Sequence, residues 1–390
     1  MTTTVEADLL PFGDPAYQND PYPYYEAVRN MTSVYASPSG VHAVMRHADI
    51  FKVLRDKRLS SRQLDFGVAN LFHDSMFGQD SPDHGRLRKL STPFFSPGRA
   101  EEWAVVMRGL VDQALDEAEA GGGMDVCQGL SFTATFGTMA HILGVGTHEA
   151  AECRQKVVEM GRALRPSATN EDVEIAVTAF AWCVDYVQGL IDEKRRNPGD
   201  ALLDVYLSTL DQGGMTEAEV MSTVTFFYAV GHLDNSFLIQ NGVRLLAEMP
   251  EVRRTYIERP ELRANIVEEI LRIDAAEQFV TRAILEDIEV DGEILPAGGI
   301  AVMMLGSGNV DERAYEDPMR FDYTRPDLAR KQLAFGAGQH GCQGQMLARA
   351  QGEIALTALL ERHPDYRVSG EVVFGHNEFI RAIRYLPIEF

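Results

Sequence analysis

Apolar positions recur at helical spacing along most of the chain. Between Ala100 and Ala120 they fall at Trp103, Val106, Met107, Leu110, Val111 and Leu115, which predicts an amphipathic helix. Thr216-Glu217-Ala218-Glu219 reads as a capping box. From there a helical pattern runs to Met249, where Pro250 interrupts it. At 1.5 Å per residue such a helix would span about 50 Å, enough to cross a whole domain. Its middle, Val224–Val230, is apolar on every side and is expected to be buried. A further helical run covers Met346–Leu360.

Strand signals are fewer. Val41–Met45 and Ile300–Leu305 are short apolar runs, and Tyr385–Phe390 is placed to close a sheet near the C-terminus. Ile288–Ile294 alternates and turns at Asp291-Gly292, a hairpin signature. The expectation is a mainly α protein with a minor β part. Local double glycines punctuate the loops, but no repeat or Pro/Ser-rich linker divides the chain, so residues 1–390 are read as one domain.

Composition narrows the class. The 390 residues are 45% hydrophobic and 24% charged, an ordinary globular balance. Lys+Arg number 36 against 58 Asp+Glu, a net charge of -22. The mean field therefore repels phosphates and disfavours nucleic acid as a partner. Four cysteines, Cys127, Cys153, Cys183 and Cys342, are too few for a disulfide framework. The N-terminus has no basic run followed by an apolar core, and no stretch approaches eighteen uninterrupted apolar residues. A soluble, reducing, cytoplasmic setting with no membrane anchor is expected.

The candidate chemistry lies in Phe335-Gly336-Ala337-Gly338-Gln339-His340-Gly341-Cys342-Gln343-Gly344. The glycines let the backbone turn sharply and approach another group closely. Cys342 precedes a helical run, and a thiol at a helix N-terminus is stabilised as thiolate. Three alternatives stand on the residues alone. Cys342 is an inert cysteine beside a turn, or Gly336-x-Gly338-x-x-Gly341 cradles a dinucleotide, or the thiolate ligates haem iron. The dinucleotide fingerprint needs a buried strand immediately before it, and Asp327–Leu333 does not supply one.

Phe335, Gly338, His340, Cys342 and Gly344 fall in order on the pattern F-x-x-G-x-[HR]-x-C-x-G. The stretch resembles the haem-binding loop of the cytochrome P450 family, and Ala348-Arg349 is similar to the helix that follows it in bacterial members. The resemblance extends over almost the whole chain. Glu269-Ile270-Leu271-Arg272 is similar to the family's E-x-x-R signature; positions three apart on a helix share a face, and the family gives this pair a buried structural role. Asp20–Pro23, Asp80–Arg88, Asp317-Pro318 and Arg320–Asp322 resemble further landmarks, in the family's order.

The resemblance implies a P450 fold with a long central helix over a buried b-type haem (heme b), thiolate-ligated by Cys342. Phe335 and Gly336 belong to the haem loop. Haem carries two propionates that need cationic partners, and the resemblance gives these roles to His84, Arg88, Arg282 and His340. Gln332 stands where many bacterial members carry a further histidine, so one propionate contact is in doubt. The central helix departs from the family pattern [AG]-G-x-[DE]-T. Here it reads Val230-Gly231-His232-Leu233-Asp234-Asn235-Ser236, and no alignment restores the threonine that, with the acid, guides protons during oxygen activation. Gly231, Asp234 and Asn235 are therefore the candidate catalytic residues. Asp234 delivers protons itself, or Asp234 or Asn235 binds a polar group of the substrate, or the polar residues simply satisfy a helix bulge.

By resemblance the substrate pocket draws on four segments. These are Leu64, Phe66, Phe72, Met76 and Phe77; then Phe226, Val230 and Leu233; then Ala275, Ala276, Gln278 and Phe279; then Phe379 and Ile380. They are mostly apolar, as small-molecule pockets tend to be, and the small Ala276 leaves room for a bulky substrate. With no flavin or reductase segment in the chain, electrons are expected from a separate ferredoxin and ferredoxin reductase, docking near Arg99, Arg330, Lys331 or Arg349. The implied activity is oxidation of a bulky, mostly apolar specialised metabolite with O2. Hydroxylation stands first. Radical coupling, cyclisation, desaturation or rearrangement stands second, and a non-catalytic haem or ligand-binding protein of the same fold is the alternative outside enzymes.

Overall fold

A computed structural model describes residues 8–390 except 39, 65–71, 165–167, 232 and 376–379; the side chains of 164, 230, 233 and 234 are also outside the described set. Six helices position the site: α1 (Asp83–Ser91), α2 (Pro97–Glu119), α3 (Glu217–Val230), α4 (Leu233–Glu248), α5 (Arg263–Ile273) and α6 (Gln345–Arg362). α2 buries Trp103, Met107, Val111 and Leu115, the stripe its spacing predicts, and packs on α6. α3 starts where the capping box requires. The Thr216 hydroxyl accepts from Glu219 N at 3.2 Å, and the Glu219 carboxylate accepts from Thr216 N at 2.8 Å.

The long central helix expected from the sequence is described as two stretches on either side of Gly231, which itself keeps αR dihedrals and donates to Phe227 O at 2.9 Å; His232 lies outside the described residues. α3 stops at Val230 and α4 starts at Leu233. Gly231 lies hard against its surroundings. A Cβ at this position would lie 2.4 Å from Phe227 O and 2.5 Å from Met139 Cε, so a larger residue would force the two segments apart. Asn235 Nδ2 donates to the Gly231 carbonyl at 3.4 Å.

The β part is small. Strands β1 (Val34–Ala36), β2 (Val41–Val44), β3 (Leu59–Ser60), β4 (Val280–Ile284) and β5 (Ile300–Met303) form one sheet in the order β1-β2-β5-β4-β3. The β2–β5 pair is parallel and the others antiparallel. The predicted hairpin forms between Ile288–Val290 and Glu293–Leu295. Asp291 and Gly292 both have positive φ, 50° and 84°, as a type I′ turn demands. Pro387–Glu389 closes a three-stranded sheet with Gly123–Asp125 and Arg367–Val368. The helix Asn170–Arg196 is long and apolar enough to cross a membrane by length and composition. Here its Ala176, Ala179, Cys183, Val187 and Leu190 are buried, and it packs against α3 and the helix Ala150–Met160.

One ion pair fixes the frame beneath the cysteine loop. Glu269 and Arg272 on α5 meet through two hydrogen bonds of 2.6 and 2.7 Å, with both side chains fully buried. Arg272 Nη1 also donates to the carbonyls of Asn309 and Pro318 at 2.8 Å each, and Glu269 accepts from Asp322 N at 2.8 Å and Arg325 Nε at 3.3 Å. The pair thus ties α5 to the segment leading into the cysteine loop. Breaking a buried pair from one side strands a charge, at a cost of about 3–5 kcal/mol. Glu269→Gln and Arg272→Leu are each expected to lower the unfolding free energy from urea titration by that order; an unchanged value would contradict the role.

Candidate active site

The cysteine loop is shaped by close contacts. Cys342 N donates to Phe335 O at 2.9 Å and Gly341 N to Gly338 O at 3.1 Å, folding the loop back on itself just before α6. Gly336 and Gly338 have φ of 63° and 74°. A Cβ on Gly338 would come within 2.4 Å of Leu54 O, so this position requires glycine on both counts. Phe335 lies under the Arg349 guanidinium, 4.6 Å from the ring centroid.

Cys342 is exposed, whereas Cys127, Cys153 and Cys183 are buried. Burial pushes the Cys153 and Cys183 thiols up to about 12, and Cys127 higher still. These three stay neutral thiols at physiological pH. Cys342 faces a cavity of about 230 Å³ bounded by α1, the α3–α4 junction, residues 274–282 and the cysteine loop. A single water needs on the order of 10–15 Å³ on this measure, so the space is ligand-sized.

Four basic side chains reach the cavity wall beside the cysteine: His84 and Arg88 from α1, Arg282 from β4 and His340 from the loop. The two imidazoles lie with ring centroids 4.2 Å apart. Arg88 Nη2 donates to Gly341 O at 2.7 Å, and Arg282 Nη1 to Thr281 O at 2.6 Å. Among the described residues none of the four forms an ion pair. Their titration shows the strain. Burial, then Arg282, His84 and Arg88, push His340 down to about 2. Burial pushes Arg282 down to about 10. Burial and then Arg88 lower His84, and burial lowers Arg88, against an opposing pull from Cys342. Asp80 and Glu277 oppose the shift of Arg282, and Asp80 that of His84, but burial outweighs them; a further anion in the cavity would ease the crowding.

The far wall is apolar. Met76, Phe77, Phe226 and Ala276 line it, with Phe77 stacked on Phe226 at 5.2 Å and Phe72 edge-on to Phe226 at 5.8 Å. Gly231 and Asn235 bring the α3–α4 junction to the same cavity. Phe66 and Phe379, and the side chains of Val230, Leu233 and Asp234, lie outside the described residues. Gln278 and Phe279 do not line the cavity. Gln278 is buried on the opposite side, bonded to the Tyr25 hydroxyl at 3.0 Å and the Ala275 carbonyl at 2.7 Å. Phe279 packs edge-on to Phe12 at 5.3 Å. Leu64 and Ile380 are half-buried and also stand off the wall; Ile380 instead bridges to Glu277. Gln332 is a framework residue, holding Glu268 at 3.2 Å and Ala334 N at 2.6 Å. The motifs gave no signal for Leu54, Phe95, Met139 and Phe227, which line the cavity from segments without a signature.

These groups suit a flat, apolar macrocycle bearing two carboxylates and a thiophilic metal. The sulfur faces the cavity, unpaired bases stand ready for the carboxylates, and glycine backbone permits close approach. Cytochrome P450 is the family whose model matches residues 17–364. The chain is 31% identical to Nocardicin C N-oxygenase of Nocardia uniformis subsp. tsuyamanensis, over 99% of each chain. The crystal structure of CalO2 superposes with a TM-score of 0.89 at 32% identity, covering 97% of this chain and 98% of that one. CxnD, described as a P450 for C–S bond formation in chuangxinmycin biosynthesis, superposes at 0.86 with 26% identity, covering 95% and 94%. The chain belongs to the cytochrome P450 family of haem-thiolate oxidoreductases.

Proposed function

We propose that Cys342 is the thiolate ligand of the haem and that the protein oxidises a bulky, mostly apolar specialised metabolite, by hydroxylation first. The convergence of Cys342 with His84, Arg88, Arg282 and His340 at one end of a cavity whose opposite wall is largely apolar carries this proposal. When bound, the haem activates O2, and the thiolate's electron push favours O–O cleavage. The chain's own residues do the rest. Arg88 and Arg282 hold the two carboxylates, with His84 and His340 donating beside them. Met76, Phe77, Phe226 and Ala276 seat the apolar body of the substrate and exclude water. Asp234 and Asn235 hold and move protons where the family has its acid and threonine.

A second reaction, coupling or cyclisation without oxygen insertion, is favoured by the missing threonine. CxnD forms a C–S bond on the same fold. Electrons are proposed to come from a separate ferredoxin and its reductase in the cytoplasm. Of the docking cations expected, Arg349 is bound to Glu268, Lys331 donates to the Ala314 carbonyl, and Arg99 pairs with Glu102 at 2.9 Å. Lys52, Arg55 and Lys57 are exposed on the segment whose Leu54 carbonyl abuts Gly338, and they fit an acidic partner better.

Three outcomes are expected. With labelled dioxygen and surrogate redox partners, a substrate that shifts the haem spin state gives product containing the label; label-free product of a new C–C, C–N or C–S bond would favour the second reaction, and no turnover with any spin-shifting compound would contradict both. Asp234→Ala should lower product formation by roughly 10²-fold with a matching rise in peroxide; unchanged yield and peroxide would remove Asp234 from the mechanism. The third concerns acid. Burial, with Arg282, His84 and Arg88 beside it, holds His340 far below its ordinary 6.5. Its contribution to stability is therefore present above about 6.5 and is lost as pH falls below it. Bound carboxylates oppose this shift, so between pH 7 and 5 the haem-free protein should lose more of its melting temperature than the haem-loaded one. Equal losses would count against carboxylates at this site.

A further inference from the structure

Gln343 follows Cys342 directly, and its side chain turns back onto α1. Its amide Nε2 donates to Thr92 Oγ1 at 2.9 Å and to the Arg88 carbonyl at 3.2 Å, while its Oε1 accepts from Ser91 Oγ at 2.9 Å. All the amide's polar atoms are used, and every partner lies at the C-terminal end of α1, where carbonyls and hydroxyls are left over by the helix. The other neighbour of Cys342 is held by the same helix. Gly341 O accepts from Arg88 Nη2 at 2.7 Å. Arg88 therefore grips one side of the cysteine with its guanidinium and the other with its own carbonyl, through Gln343.

The partners are themselves fixed. Ser91 is fully buried and its hydroxyl also reaches Arg88 O at 3.1 Å; Thr92 Oγ1 donates to Arg88 O at 2.8 Å. An amide that spends both donors and an acceptor on a rigid helix end has little freedom left. Gln343 also lines the cavity beside Cys342 and Gly344.

We infer that Gln343 is a positioning residue for the thiolate: it clamps the cysteine loop to the α1 end that carries His84 and Arg88, so that the sulfur and the carboxylate-binding cations move as one body. This rests on the assignment of Cys342 as the iron ligand. With the clamp intact the sulfur cannot swing away from its site. With the clamp released, the sulfur is free to leave, take a proton from solvent and become a neutral thiol, which is a poor iron ligand.

The test uses the purified haem-loaded protein in its ferrous carbonyl form, whose spectrum separates thiolate from neutral-ligand adducts. Gln343→Leu keeps nearly the same volume and removes all three hydrogen bonds. Its thiolate adduct is expected to convert to the neutral form about tenfold faster than wild type, the size of one to two lost hydrogen bonds. Thr92→Val, a milder change, should give part of that effect alone and add nothing in the Gln343→Leu background. Resting haem content and melting temperature should stay near wild type. Conversion at the wild-type rate in Gln343→Leu, additive effects in the double variant, or faster conversion accompanied by an equal loss of global stability would each overturn the clamp. If the wild type itself gives no thiolate adduct, the assignment of Cys342 fails instead.

Discussion

The structure turns on a cluster of basic side chains drawn out of water beside one cysteine. His84, Arg88, Arg282 and His340 share one end of a cavity with no ion-pair partner among the described residues. Proteins of marginal stability do not gather basic groups in a cavity without compensation. Elsewhere several buried or half-buried arginines are paired: Arg272 with Glu269, Arg29 with Glu312 at 2.7 Å, and Arg244 and Arg381 with Asp274 at 2.7 and 2.9 Å. The four side chains are the groups proposed to meet the carboxylates of the cofactor.

The remaining architecture holds that site still. The Glu269–Arg272 pair anchors the segment before the cysteine loop, glycine at 338 lets the loop seat against Leu54, and the α1 end brackets Cys342 from both sides. Each device acts on backbone near the sulfur rather than on the sulfur itself. The substrate wall is built differently, from aromatic and thioether side chains on several segments. That separation lets a rigid ligand cradle coexist with a wall open to change.

Legibility followed the same division. The cysteine loop could be read because close approach restricts each motif position; Gly338 has 2.4 Å to spare for nothing but hydrogen. The capping box at Thr216 and the turn at Asp291-Gly292 were readable because both are local. The close packing at Gly231 was not, since a Cβ there would lie 2.5 Å from Met139 Cε, which comes from a helix distant in sequence. Gln278 and Phe279 were misplaced for a related reason. Regular alternation begins only with β4 at Val280, and across 276–279 the chain direction is set by Tyr25 and Phe12, which no spacing rule connects to it. Gln332 looked like a lost cofactor contact and is a framework bond, because its partner Glu268 is fixed by tertiary packing.

The central claim is that sulfur from Cys342 binds the iron, and the ferrous carbonyl spectrum of the purified protein interrogates it most directly. The account predicts the red-shifted Soret band of a thiolate-bound adduct in the wild type and its loss in Cys342→Ser. A neutral-ligand band in freshly prepared wild type, or a red-shifted band that survives in Cys342→Ser, would contradict it.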